Sequence, residues 1–184
     1  MKLFKNRFFA LLLAVVVVIA STLINTDVKF GRECSKVTEQ FYADTSRSAA
    51  PASISRELVN ILSDSESLSA LASRYGADTK ALDDANAQLR ERLTAKRGAS
   101  EVYVSYNKLC AALTSLMGQL PNSSLSAQDS AEVTRCADSI AEAQNAITMS
   151  DYNSVVRAFQ HRYDRFPTSL LARLAGVDMP ETFA

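Results

Sequence analysis

The chain has 184 residues with 20 basic and 20 acidic side chains, so it lacks the positive footprint a nucleic-acid backbone demands, and nucleic acid is excluded as its main partner. Five glycines, four prolines and no tryptophan, together with abundant alanine and serine, favour helices over strands and weaken a carbohydrate-stacking role. A single histidine leaves little material for a nucleophile and its base.

The first element is apolar. Lys2, Lys5 and Arg7 precede a run from Phe8 to Ile24 without a charged side chain, wholly apolar from Phe8 to Ala20. That length approaches the short end of a bilayer-spanning helix. Asp27, Lys29, Arg32 and Glu33 cancel one another after it, so the cationic flank keeps the N-terminus in the cytoplasm and the remainder outside. Val18-Ile19-Ala20 also suits signal peptidase, and a cleaved leader would export the remainder equally well. The expected organisation is a signal anchor or transmembrane helix over residues 1–26 and one extracytoplasmic domain over residues 27–184, large enough for a single core.

Periodicity makes that domain all-α, an antiparallel helical bundle. After a small-residue stretch around Pro51, the positions Ile54, Leu58, Ile61, Leu62, Leu68, Leu71 and Tyr75 recur at three- and four-residue steps, one face of a helix. Gly76 is placed to end it in a left-handed cap with Asp78 capping the next, or else to kink one long helix. A second stripe runs Leu82, Ala85, Leu89 and Leu93 before Gly98, and a third runs Val102, Tyr106, Leu109, Leu113, Leu116 and Leu120. Pro121-Asn122-Ser123-Ser124 reads as a turn, and Ser126 with Asp129 as a capping box. Val133, Cys136, Ile140, Ala143 and Ile147 form the buried edge of the fourth helix, which is expected to continue through Phe159, Tyr163 and Phe166. The step from Ile147 to Tyr152 is five residues rather than four, which marks a local irregularity where Asn153 can satisfy a backbone group.

The short turn makes the third and fourth helices antiparallel neighbours. Reflecting Cys110 through a turn centred near Asn122 lands beside Cys136. In an oxidising exterior a bond between them would close a loop worth about 3.5 kcal/mol. Helix axes about 8–10 Å apart exceed what a disulfide reaches, so Ala111 and Ala137 would have to allow close approach. The bonded reading is preferred to two reduced core cysteines, and Cys34 reads as a small packing residue.

From Asp151 onward, DYNSVVRAFQHRYDRFPTSLLARLAGV resembles the C-terminal signature of the LemA family. The carrying residues are Tyr152, Asn153, Val156, Phe159, Phe166, Pro167, Leu170, Leu171, Ala172 and Gly176, with Pro180-Glu181-Thr182-Phe183 similar to the family's Pro-x-x-Phe ending. Gln160 stands where that family commonly has Asn, and Ser-Arg-Ser-Ala-Ala-Pro-Ala-Ser replaces its Arg- and Asp-rich stretch. The resemblance implies a membrane-anchored antiparallel helical bundle without enzymatic activity. Independently of it, Phe166-Pro167 reads as a helix corner, since Pro167 cannot continue a helix but starts one without loss. Phe159, Tyr163 and Phe166 are then expected to bury against Leu170, Leu171 and Leu174, a packing role rather than a chemical site.

Catalytic and cofactor motifs do not accumulate. His161 with Asp164 makes half a metal site without a second histidine, and no Gly-rich phosphate loop, CxxC or HExxH occurs, so neither enzyme activity, metal nor cofactor is expected. Arg90, Arg92, Lys96 and Arg97 cluster where a helix should end, which suits the helix dipole better than anionic headgroups. The expected protein is a monomeric, single-pass envelope component, in contact with lipid through its first helix and with an unidentified protein through its bundle. The alternative is a secreted bundle that takes a small apolar or lipid ligand.

Overall fold

The computed structural model describes Ser21 and residues 28–42, 53–120, 125–164 and 179–184. All regular structure among the described residues is helical: α1 over residues 28–42, α2 Ile54–Arg74, α3 Lys80–Thr94, α4 Ala99–Gln119, α5 Ala127–Met149 and α6 Tyr152–Tyr163. No helix among them is long and apolar enough to cross a membrane. Apart from Ser21, the apolar run expected to anchor the chain lies outside the described residues, as do Phe166, Pro167, Gly176 and the leucines between them.

Local chemistry explains where each helix begins and ends. Ser53 caps α2, its hydroxyl accepting from the Arg56 N–H at 3.4 Å. At the other end Gly76 adopts φ 75°, and the N–H groups of Gly76 and Ala77 return to the carbonyls of Ser73 and Ala72 at 3.1 and 3.2 Å. Two such returning bonds around a left-handed residue terminate a helix, so α2 and α3 are separate helices rather than one kinked rod. Asp78 holds the Lys80 N–H at 3.1 Å, while Thr79 occupies the cap position itself.

The end of α3 lacks a left-handed glycine. Gly98 is not the left-handed residue; Lys96 is, at φ 48°, with the Lys96 and Arg97 N–H groups bonded to Leu93 and Arg92 carbonyls at 3.1 and 3.0 Å. Lys96 therefore bears a Cβ clash that glycine would avoid. Gly98 instead becomes the N-cap residue of α4.

The expected fourth helix is two. The backbone leaves the helical region at Ser150 (ψ 137°), and α6 starts afresh at Tyr152, with the Val155 N–H on the Asp151 carbonyl at 3.0 Å. The five-residue apolar step marked this corner: a straight helix would have rotated Tyr152 off the buried face.

The predicted stripes form the core, with Leu58, Ile61, Leu82, Leu89, Val102, Leu109, Leu116 and Cys136 at most 1 % exposed. Each such aliphatic residue withdrawn from water contributes about 1.5–3 kcal/mol. The closely packed pairs are α5 on α2, α2 on α3 and α3 on α4. Side-chain bonds fix an antiparallel register along each. On α2 and α5, Tyr75 meets Asp129 at 2.6 Å while Asp64 meets Arg135 at 3.4 Å. On α2 and α3, Ser69 donates to Asp83 at 2.6 Å and Ser65 to Asn86 at 2.5 Å. On α3 and α4, Arg92 pairs with Glu101 and Lys108 donates to Gln88 at 3.2 Å. Arg90 also pairs with Glu66 of α2, so two of the four clustered cations bridge to neighbouring helices at the bundle surface.

Candidate interaction site

The signature residues of α6 converge on the chain's own C-terminal segment. Asn153 exchanges two hydrogen bonds with the backbone of Phe183: its amide donates to the Phe183 carbonyl at 2.9 Å, and its oxygen accepts from the Phe183 N–H at 2.7 Å. Gln160 donates to the Pro180 carbonyl and Tyr152 to the Glu181 carbonyl, both at 2.9 Å. Asn153 and Gln160 stand two helical turns apart, about 10 Å along the axis, and the groups they hold, on Phe183 and Pro180, lie only three positions apart. The segment is thus drawn out nearly straight, antiparallel to α6.

Side chains lock this backbone cradle. Phe183 is 5 % exposed and sits among Phe41 of α1 and Tyr103 and Tyr106 of α4, with ring centroids at 5.6, 5.1 and 5.6 Å. Such tilted and edge-on contacts add to the burial of each ring. Two residues earlier, the Glu181 carboxylate accepts from the Ser100 N–H at 3.3 Å and from the Ser100 hydroxyl, at the start of α4. Because Gly98 offers no capping side chain, the cap arrives from 81 positions away. A Cβ on Gly98 would approach that carboxylate to 2.7 Å, so glycine leaves it room.

The opposite end of α6 rests on α1. Phe30 stacks with Phe159 at 5.7 Å and edge-on with Tyr163 at 4.5 Å, and Tyr163 donates to Glu33. Burial pushes the phenols of Tyr42, Tyr152 and Tyr163 up to about 12, and that of Tyr106 upward too, so the aromatic layer is uncharged at neutral pH.

A second concavity lies between α4 and α5. Those helices run antiparallel but are not a closely packed pair; α2 lies behind them, and Leu68 forms the floor. The groove has a volume of about 320 Å³, with Cys110, Leu113 and Met117 on one wall and Ala137, Ile140 and Gln144 on the other. Its register sets Cys110 apart from Cys136, the pair for which a disulfide was expected. Cys110 accepts from Gln144 at 3.4 Å, and Gln144 lies two turns, about 12 Å, beyond Cys136. Cys136 is wholly buried beside Arg135, and all three cysteines are free thiols. α5 packs closely on α2 rather than on α4. Burial, opposed by nearby Arg135, raises the Cys136 thiol to about 11.

Other sequence candidates stay apart. His161 and Asp164 are exposed at the end of α6, and no group of three or more His, Cys, Asp or Glu among the described residues is placed to hold a metal. Tyr152, Val156 and Phe159 are buried on α6, and Asn153 bonds the Phe183 backbone beside them. Sequence reasoning missed Glu181 and Phe183 as partners of Tyr152 and Asn153, and Gln160 as the donor to Pro180, although the Pro-x-x-Phe pattern flagged the segment. No family model, curated protein or solved structure matches the chain.

Proposed function

We propose that this is a non-enzymatic, membrane-anchored envelope protein, similar to the LemA family, whose extracytoplasmic bundle serves as a protein-interaction scaffold. The observation that carries this reading is the convergence of Tyr152, Asn153 and Phe183: the two separated halves of the resemblance bond each other. Their polar groups are consumed in holding backbone rather than gathered around a reactive centre. The cationic flank and apolar run of residues 2–24 support the anchor.

Cell fractionation tests the anchor, and in-cell crosslinking tests the scaffold. The full chain is expected in the membrane pellet and resistant to alkaline extraction, with crosslinkers placed on exposed bundle positions capturing a discrete partner. Recovery of the chain in the medium would overturn the anchor. A second reading, a secreted bundle that binds a small apolar or lipid ligand, draws support from the groove between α4 and α5, whose volume falls at the lower end of ligand sites. Lipid or apolar compounds extracted from the purified protein, and lost on filling the groove with Ala141→Phe, would favour it.

A further inference from the structure

We propose that the cleft between α1, α4 and α6 is a peptide-binding site for extended segments with an acidic residue two positions before an aromatic one, and that Met179–Ala184 occupies it as a ligand in cis. This deepens the scaffold reading by naming the partner's chemistry, but it stands on the contacts alone and can fail or survive apart from membrane anchoring.

Three features make the cradle a recognition site rather than ordinary packing. First, the bonds from Asn153, Gln160 and Tyr152 all go to backbone groups, so they hold any extended chain whatever its side chains. Recognition modules commonly combine backbone bonds for affinity with pockets for selected side chains. Second, selectivity rests on three positions: the aromatic box around Phe183, the capping position at Ser100 that takes Glu181, and the buried seat of Pro180. Glu181 and Ala184 are themselves exposed. Third, α6 is not among the helices in close contact with α2, α3, α4 or α5, so beside its ring contacts with α1 the segment is what ties it to α4. Its seat is assembled by other elements, and a chain of like chemistry presented from outside meets the same donors, acceptors and rings.

Tethering sets the competition. Residues 165–178 join the segment to α6, and a tether of that length gives it an effective concentration in the millimolar range. An outside peptide therefore meets an occupied cleft and binds measurably once the tethered copy is weakened.

The test uses the full chain carrying Phe183→Ala and a fluorescent peptide of sequence Met-Pro-Glu-Thr-Phe-Ala. The variant is expected to bind this peptide at least about tenfold more tightly than the unaltered chain, which its own tail blocks. Replacing the peptide's Phe by Ala should abolish binding, as should adding Asn153→Ala to the variant, and replacing its Glu by Gln should weaken it. A folded Phe183→Ala chain that ignores the peptide, or equal binding by both chains, would overturn the proposal. Should that variant lose its fold, the unaltered tail is cut from the chain at a protease site introduced within residues 168–176. Exchange of the severed tail for labelled peptide supports the proposal; unfolding on cleavage, or a tail that never exchanges, refutes it.

Discussion

Asn153 is the residue on which most depends. Its carboxamide supplies one donor and one acceptor to a single backbone unit, as a neighbouring strand would. Asn153→Ala removes both bonds and leaves partly buried groups of Phe183 unpaired, so chemical denaturation should show a loss of about 2–3 kcal/mol. Asn153→Asp should recover little, because a carboxylate accepts from the Phe183 N–H but faces its carbonyl without a proton. Lys96 offers the opposite experiment. At φ 48° it occupies a conformation costly to residues with a Cβ, and Lys96→Gly should raise stability by about 0.5–1 kcal/mol in the same assay. The sequence pointed to glycine at such a position, correctly at Gly76. Lys96 escaped notice because nothing in its own chemistry announces a left-handed backbone.

Among the elements, α2 to α5 were legible, α1 was not foreseen, and which helices pack closely was not legible either. The apolar stripes of α2, α3 and α4 identified the buried faces residue by residue, since a period of three and four is a property of the chain alone. Which stripe faces which is decided by contacts such as that between the ends of α2 and α5. There Tyr75 donates to Asp129 and accepts from the Ser126 N–H at 3.2 Å, while the Ser126 hydroxyl accepts from the Asp129 N–H at 3.0 Å. The predicted capping box is therefore half local, its reciprocal bond supplied by a tyrosine from another helix. Ser126→Ala should cost about 1 kcal/mol in thermal or chemical unfolding, and Tyr75→Phe a similar amount. The displaced register of α4 and α5 has a chemical signature as well. Intact-mass analysis after alkylation of the native protein should show Cys110, which lines the groove, modified before buried Cys136, with no bond between them.

For the molecule as a whole, titration reports how the layers are joined. The phenols of Tyr42, Tyr152 and Tyr163 ionise near 12 in the folded chain, above their ordinary value near 10, chiefly because burial disfavours the phenolate. A raised folded value means that the native state holds these protons more tightly. The associated stability is fully present below about pH 10 and is lost as pH rises toward 12. Melting temperature should thus fall steeply across that window, and Tyr152→Phe should make the fall shallower. Asp129 behaves oppositely: the Tyr75 hydroxyl above all, with Ser126 and Arg74, holds its carboxyl below the usual range. Its contribution is present above the ordinary carboxylate value and fades as pH drops through the lowered one. Asp129→Asn should therefore flatten the acid limb of the same curve.

The joining of α6 to its neighbours through α1 and Met179–Ala184 also orders events in time. On a ribosome, α2 to α5 can acquire their mutual contacts as soon as they emerge, while the Asn153 amide and the ring pocket of Phe41 wait for residues translated some thirty codons after Asn153. Until then the nascent polypeptide exposes an unfilled cleft between α1, α4 and α6.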